Sequence, residues 1–299
     1  MENVKAEADA VADRVLSLAE HELLELNDEV KVLVLPKGKE AVSIKPLLDQ
    51  YLETPERRKG TSTHKTLVSL VDHALRFKSE HSVLFANPGD RVSVDPVLLA
   101  VLNYNPAGDS KTGWGDHRAR YSFPLSEQWK AWKAIDGKPL NVRQFSNFLE
   151  KQVEDLADPA DAGGIAKQIP DRLGYRFATP AELLKLSKGL SLVVDSTVTN
   201  IVDPTTNEMK LQFETTHKDK VGKPLEVVKA FLLMIPVFES GTFYGVGARL
   251  TYEVKDDAVT FTVHLYREDL YFKQAFEESC EEARRATSLP LFFGTPEGA

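Results

Sequence analysis

A short segment near the middle of the chain carries the residue types that most often bind ligands. Residues 113–121 read GWGDHRARY. They combine an indole, a carboxylate, an imidazole and two guanidinium groups, at Trp114, Asp116, His117, Arg118 and Arg120. Guanidinium groups present a planar fork of donors that suits phosphate, and an indole offers a face on which a base can stack. These five residues form the candidate ligand site, with nucleic acid or a nucleotide as the candidate ligand.

The same segment admits two other interpretations. Asp116 could orient the imidazole of His117 for acid–base chemistry, but adjacent strand residues point to opposite faces, so this pair is poorly placed. Alternatively the loop is structural, with its arginines paired to acids such as Asp109 or Asp116. If the segment enters a strand, Arg118 and Arg120 share one face two residues apart, which suits adjacent phosphates. The binding and structural interpretations both remain open at this point.

The sequence lacks the common catalytic signatures. It contains no phosphate-binding GxxxxGK[ST] or GxGxxG, no HExxH and no GxSxG, and no histidines and carboxylates at metal-ligand spacing. Residues 241–247 (GTFYGVG) are rich in glycine but begin a predicted strand, so they supply no helix N-terminus for phosphate. Cys280 lies on the apolar stripe of a predicted helix, where a thiol is normally inert. We therefore expect no catalytic residues, no metal and no cofactor.

Composition narrows the class of protein further. The 299 residues carry a net charge of −8, which argues against wrapping of DNA over the whole surface but allows a local basic patch. The single cysteine excludes an internal disulfide and fits a reducing compartment. The acidic N-terminus does not resemble a secretory signal, and no apolar run is long enough to cross a bilayer. These features predict a soluble cytoplasmic protein that does not contact membranes.

The N-terminal half predicts a helix followed by a mixed α/β region. Val4, Val11 and Leu18 recur every seven residues, so residues 1–27 are expected to form a helix that either packs on its own domain or mediates self-association. The region 28–157 is predicted to follow. Its expected strands are Val30–Leu35, Ala41–Ile44, Val83–Ala86, Leu98–Tyr104 and His117–Phe123, with a helix over His64–Phe77 capped by Thr61 or Thr63.

Two further helices are predicted to form a hairpin around aromatic residues. Ser126 caps the first, whose Trp129 and Trp132 share one face; Asn141 caps the second, with Phe145 on its buried stripe. A tryptophan pair could stack on bases, but burial in the core is the commoner use of this spacing.

The C-terminal third predicts an antiparallel sheet. A Pro- and Gly-rich connecting loop, residues 158–178, precedes a region 179–299 that begins with a short helix opened by Pro180. Five strands are expected, over 191–202, 208–217, 226–238, 243–255 and 258–267, and a final helix over Leu270–Thr287 is followed by an extended tail. The third strand is apolar on both faces and should be central. The predicted fold class is thus α+β: an antiparallel meander sheet in the C-terminal third, covered by helices, and a mixed α/β N-terminal half.

Four segments resemble a known family. The segments are GWGDHRA (113–119), SEQWKAWKAIDGKPLNVRQFSNFLE (126–150), IPVFESGTFYGVGARLTYEV (235–254) and TSLPLFFGTP (287–296). They are similar to the YfdQ-like proteins of tailed phages and prophages, a domain of unknown function, and the resemblance spans roughly residues 25–296. It implies a link to nucleic-acid metabolism or host takeover and supplies no catalytic residues.

The leading expectation is therefore a non-enzymatic phage or prophage accessory protein in the bacterial cytoplasm. It would act in replication, recombination or counter-defence as a homo-oligomer that contacts phage or host proteins of DNA metabolism, or single-stranded nucleic acid. One alternative is a virion structural or assembly protein, which would be abundant in purified particles. The other is a nucleotide-binding protein or enzyme that uses the 113–121 loop and would co-purify with nucleotide.

Overall fold

The computed structural model describes part of the chain. The described residues are 22–27, 30–34, 57–89, 95–106, 108, 113–163, 166–170, 174, 176–191, 197–202, 209–214, 225–226, 228–255 and 258–297. The chain divides into two compact units, residues 1–58 and 59–299. The predicted region 28–157 crosses the boundary between these units. The predicted loop 158–178 and the predicted region 179–299 both lie in the second unit.

In the first unit the structure describes one antiparallel hairpin. It consists of β1 (Glu22–Asn27) and β2 (Val30–Val34), so the last six residues of the predicted N-terminal helix form a strand. The rest of that predicted helix and the predicted strand over Ala41–Ile44 lie outside the described residues.

The second unit contains a five-stranded mixed sheet. Its strands are β3 (Gly60–His64), β4 (Val83–Asn87), β5 (Val97–Val101), β6 (His117–Ser122) and β15 (Leu291–Phe293). The order is β15-β4-β5-β6-β3; the two outer pairs are parallel and the two inner pairs antiparallel. The tail predicted after the last helix is therefore an edge strand of this sheet.

The helix that follows β3 begins later than predicted. It is α1 (Leu67–Phe77), whose N-cap is Thr66, because the Thr66 hydroxyl accepts a hydrogen bond from the Ser69 backbone N–H at 3.2 Å. Thr61, Thr63 and His64, which the sequence placed at the helix start, belong to β3. Their alternating exposure is the period of a strand, not of a helix.

The second sheet is an antiparallel meander, as predicted, but it holds fewer of the predicted strands. It contains β7 (Pro139–Asn141), β8 (Leu156–Ala157), β12 (Ala230–Pro236), β13 (Phe243–Lys255) and β14 (Ala258–Leu265) in the order β7-β14-β13-β12-β8. The first two predicted strands lie elsewhere, because β8 occupies the edge of β12 that they would have needed. They are β9 (Thr197–Val202) and β10 (Met209–Glu214), which form a separate sheet with β11 (Leu225–Glu226). The expectation of one sheet containing all five strands is wrong.

Four more helices complete the described part of the second unit. They are α2 (Glu127–Ile135), α3 (Val142–Lys151), α4 (Pro180–Ser191) and α5 (Glu268–Thr287). Ser126 and Asn141 cap α2 and α3 as predicted, and β7 lies between these helices as a strand of the meander sheet. Trp129 and Trp132 are 2% and 0% exposed, which confirms that the tryptophan pair belongs to the core.

One hydrophobic core joins the two large sheets. Phe123, next to the end of β6, packs against Phe238 and Phe276 at ring-centroid distances of 5.1 and 5.0 Å, and so links the mixed sheet to the meander sheet and α5. The fold is α+β, as the sequence predicts. Since the inner face of β6 is committed to this core through the buried Ala119 and Tyr121, its alternate residues are directed away from it.

Candidate ligand-binding face

Strand β6 presents both candidate arginines on the side of the mixed sheet that faces away from the shared core, called here the outer face. Arg118 is half-buried and Arg120 exposed, whereas Ala119 between them is completely buried. Two cross-strand rows run over this face. One row contains Thr61, Arg118, Val101 and Val83, and the other contains Thr63, Arg120, Leu99, Phe85 and Phe292.

The two arginines differ in what they touch. The Arg118 Nε donates a hydrogen bond to the Gly115 carbonyl oxygen, which ties the side chain to the loop before β6. Arg120 forms no ion pair with any residue in the described ranges. Arg118 therefore supports the loop before β6, whereas Arg120 is available to a ligand.

The outer face changes from basic to aromatic along its second row. Phe85 packs against Phe292 and Tyr104 at centroid distances of 5.6 and 5.4 Å. Phe85 is 9% exposed, but Phe292 on the edge strand is 48% exposed. The row thus carries an exposed cation at Arg120 and ends with an exposed ring at Phe292.

The loop before β6 holds Trp114 in solvent. Trp114 is 73% exposed, the largest exposed fraction among the described large hydrophobic residues. Gly113 beside it fits only as glycine, because a Cβ there would lie 2.4 Å from the Tyr104 carbonyl oxygen. Gly115 takes a positive φ of 59° and donates its N–H to the Asn103 carbonyl oxygen at 3.0 Å. Two glycines therefore fix the turn that displays the indole.

Asn103 is the residue that organises this loop, a role that no motif or spacing in the sequence indicates. Its Oδ1 accepts from the His117 backbone N–H at 2.9 Å, and its Nδ2 donates to the Asp116 Oδ1 at 3.0 Å. Its backbone carbonyl oxygen accepts the hydrogen bond that the Gly115 N–H donates. Asn103 follows β5 in the chain and reaches the loop only because β5 and β6 are paired, a non-local contact that spacing cannot predict.

The structure separates the five candidate residues into two groups. Trp114, Asp116, Arg118 and Arg120 belong to the loop and the outer face. His117 lies on the inner side, where its ring packs 5.8 Å from Phe77 and 6.2 Å from His73. The Asp116 carboxylate accepts a hydrogen bond from Asn103, whereas the His117 ring packs beside Phe77 and His73, so the two side chains have different surroundings.

His117 instead belongs to a histidine cluster that the sequence did not reveal. His64 and His73 lie 4.9 Å apart between centroids, and their Nε2 atoms lie 3.1 and 3.5 Å from the Ser62 Oγ. Because the single Ser62 hydroxyl proton is donated to the Arg118 carbonyl oxygen, both Nε2 atoms are assigned as donors to Ser62. Burial, followed by the nearby His64 and His117, lowers the pKa of His73. The lowered pKa favours the neutral form of His73, and the contacts of the cluster link α1 to β3 and β6.

Three other features were compared with the described residues: a metal site, a reactive thiol and a membrane-spanning helix. Within the described ranges, no group of three or more His, Cys, Asp or Glu side chains could hold a metal ion. Cys280 is 0% exposed, and burial raises the pKa of its thiol to about 12, so it is placed as a core residue. None of the helices that the structure describes is long and apolar enough to span a membrane.

Comparison with known proteins identifies a family but no function. No curated protein and no solved structure matches this sequence. A family model described as "Uncharacterized conserved protein (DUF2303)" matches residues 5–296. Because this match covers nearly the whole sequence, the chain belongs to the DUF2303 family of uncharacterized conserved proteins.

Proposed function

We propose that this protein is a non-enzymatic, YfdQ-like accessory protein of phage or prophage origin that binds single-stranded nucleic acid on the outer face of its mixed sheet. It acts in the bacterial cytoplasm as a homo-oligomer, in replication, recombination or counter-defence, together with phage or host proteins of DNA metabolism. One observation carries the proposal. Arg118 and Arg120 lie side by side on the outer face, next to a loop that holds Trp114 in solvent.

The geometry suits a single strand better than a duplex. Strand residues two apart are separated by about 6.6 Å, so a phosphate bound at Arg120 also lies near the positive charge of Arg118, which the loop holds in place. Trp114, on the loop before β6, and Phe292, on the edge strand β15, are exposed rings, and an unpaired base can stack on either. The Thr61 and Thr63 hydroxyls, both exposed on the same face, add donors for phosphate oxygens. A duplex would present its phosphates but keep its base faces inaccessible.

Electrostatics limits the strength of this binding. The net charge of −8 repels a polyanion outside the basic patch, so affinity should be moderate and best measured at low salt. Each phosphate neutralised on a single strand contributes about −0.7 to the slope of log K against log salt. One phosphate bound at Arg120 therefore predicts a contribution of about −0.7 to that slope.

The test is a titration of fluorescent single-stranded DNA and RNA, followed by anisotropy, at several salt concentrations. Arg120→Ala should weaken binding and make the slope shallower by about 0.7, without a change in thermal stability. The matched control is Arg143→Ala, which removes the same charge from an exposed position on α3. Equal loss in both variants would mean that only overall charge matters, and no binding by the wild type would refute the proposal.

A further inference from the structure

A pocket of about 490 Å³ opens where the mixed sheet meets the meander sheet. Its walls come from the end of β3, the segments before β5, after β6 and after β12, and the first two turns of α2 and α5. Its lining combines the rings of His64, Phe123 and Phe272 with the charged side chains of Lys65, Asp95, Lys130 and Glu239. All of them belong to the second unit of the chain.

The pocket is held in shape by backbone hydrogen bonds between its walls. The Phe123 N–H donates to the Pro96 carbonyl oxygen at 3.1 Å, and the Glu239 N–H donates to the Pro124 carbonyl oxygen at 2.9 Å. Phe123 and Phe272, 3% and 7% exposed, supply apolar wall and are braced by Phe238 at 5.1 and 5.3 Å. Such a pre-formed, partly aromatic cavity is typical of small-ligand sites.

The charged groups of the pocket are of both signs. Lys65 is exposed and forms no ion pair with any residue that the structure describes, so it can receive a phosphate. Lys130 is held near the pocket by Glu127, 2.9 Å from its Nζ, and lies 4.0 Å from the Glu239 Oε1. Asp95 and Glu239 disfavour a bare polyanion but accept hydrogen bonds from amino groups. His64 offers a ligand only the face of its ring, because its two nitrogens are hydrogen-bonded to Ser62 and Ser69.

The pocket opens beside the end of β6, the strand that carries both arginines. Ser122 lines it and lies two residues after Arg120 on β6, a distance of about 6.6 Å along the strand. Because Ser122 belongs both to β6 and to the pocket wall, the pocket lies near the end of the strand that carries Arg118 and Arg120.

We infer that this pocket receives one nucleotide of the bound strand, its phosphate at Lys65 and its base on the aromatic wall. The inference rests on the proposed function and adds a choice of base. The carboxylates of Asp95 and Glu239 select a base that carries an exocyclic amino group, because the amino group of cytosine donates to a carboxylate. Uracil places an acceptor oxygen at the same position and is disfavoured.

The test uses cytidine and uridine 5′-monophosphates as probes, titrated into the full chain and followed by NMR or calorimetry. The expected result is tighter binding of the cytidine compound by about fivefold, the lower end of the discrimination seen for a well-made base contact. Lys65→Ala should weaken both ligands, and Glu239→Gln should abolish the preference while the fold stays intact. The control Lys151→Ala removes an exposed charge from α3 and should change neither property.

The outcomes separate this inference from the proposed function. If neither monophosphate binds, or both bind equally, while the single strand still binds through Arg120, the pocket inference is wrong and the proposed function stands. If the monophosphates bind with the stated preference but Lys65→Ala has no effect, the pocket is not their site. Failure of both monophosphates and single strands to bind overturns both proposals.

Discussion

Replacing Phe231 with alanine tests the packing between the meander sheet and the helices. Phe231 is 0% exposed on β12, and its ring lies 5.7 Å from that of Trp132 on α2. Its neighbour across the sheet is Ala248, which is too small to fill the space that the ring would leave. Removal of a buried aromatic side chain costs the lost transfer free energy and the cavity, about 3–5 kcal/mol in total.

Equilibrium unfolding in denaturant measures this cost directly. The control is Phe243→Ala, a change of the same chemistry on β13 at a position that is 58% exposed, where a loss within about 0.5 kcal/mol is expected. A loss below about 1 kcal/mol for Phe231→Ala would show that the core is not packed as described.

Three further predictions concern a titratable cluster, a thiol and the N-terminus. Because the pKa of His73 is lowered in the folded chain from its ordinary value of 6.5, the unfolded chain binds this proton more tightly, so stability should be full above pH 6.5 and fall below it; His73→Leu should flatten that fall in melts measured across pH. Cys280, with its pKa raised to about 12, should resist thiol reagents in the folded protein and react after unfolding, and rapid native labelling would contradict its burial. Deleting residues 1–21, which carry the seven-residue stripe but leave β1 intact, should lower the mass measured by light scattering, and an unchanged mass would remove this segment from self-association.

Local signals in the sequence predicted most elements of the second unit. Ser126 and Asn141 mark helix starts by their own hydrogen bonds to the following turn, and alternation marked β13 and β14. Sheet membership was predicted less well. Strand β8 has only two residues, too few to show the alternation of a strand. It nevertheless pairs with the edge of β12 and excludes β9 and β10 from that position.

The arrangement of the candidate site was predicted only where it depends on local sequence. The shared face of Arg118 and Arg120 follows from the period of a strand, which is a local property. The support from Asn103 and the meeting of His64, His73 and His117 depend on pairings between distant segments. His64 was also assigned to a helix, which concealed its alternation with Ser62 on β3.

Photo-crosslinking locates the bound strand most directly. A single-stranded oligonucleotide that contains 5-bromodeoxyuridine would be irradiated with the protein, digested with trypsin and mapped by mass spectrometry. Cleavage after Lys111 and Arg118 places Trp114 in the peptide 112–118, which should carry the main crosslink and lose it in the Trp114→Ala variant. Crosslinks confined to peptides outside the mixed sheet, with none on 112–118, would contradict binding at the outer face.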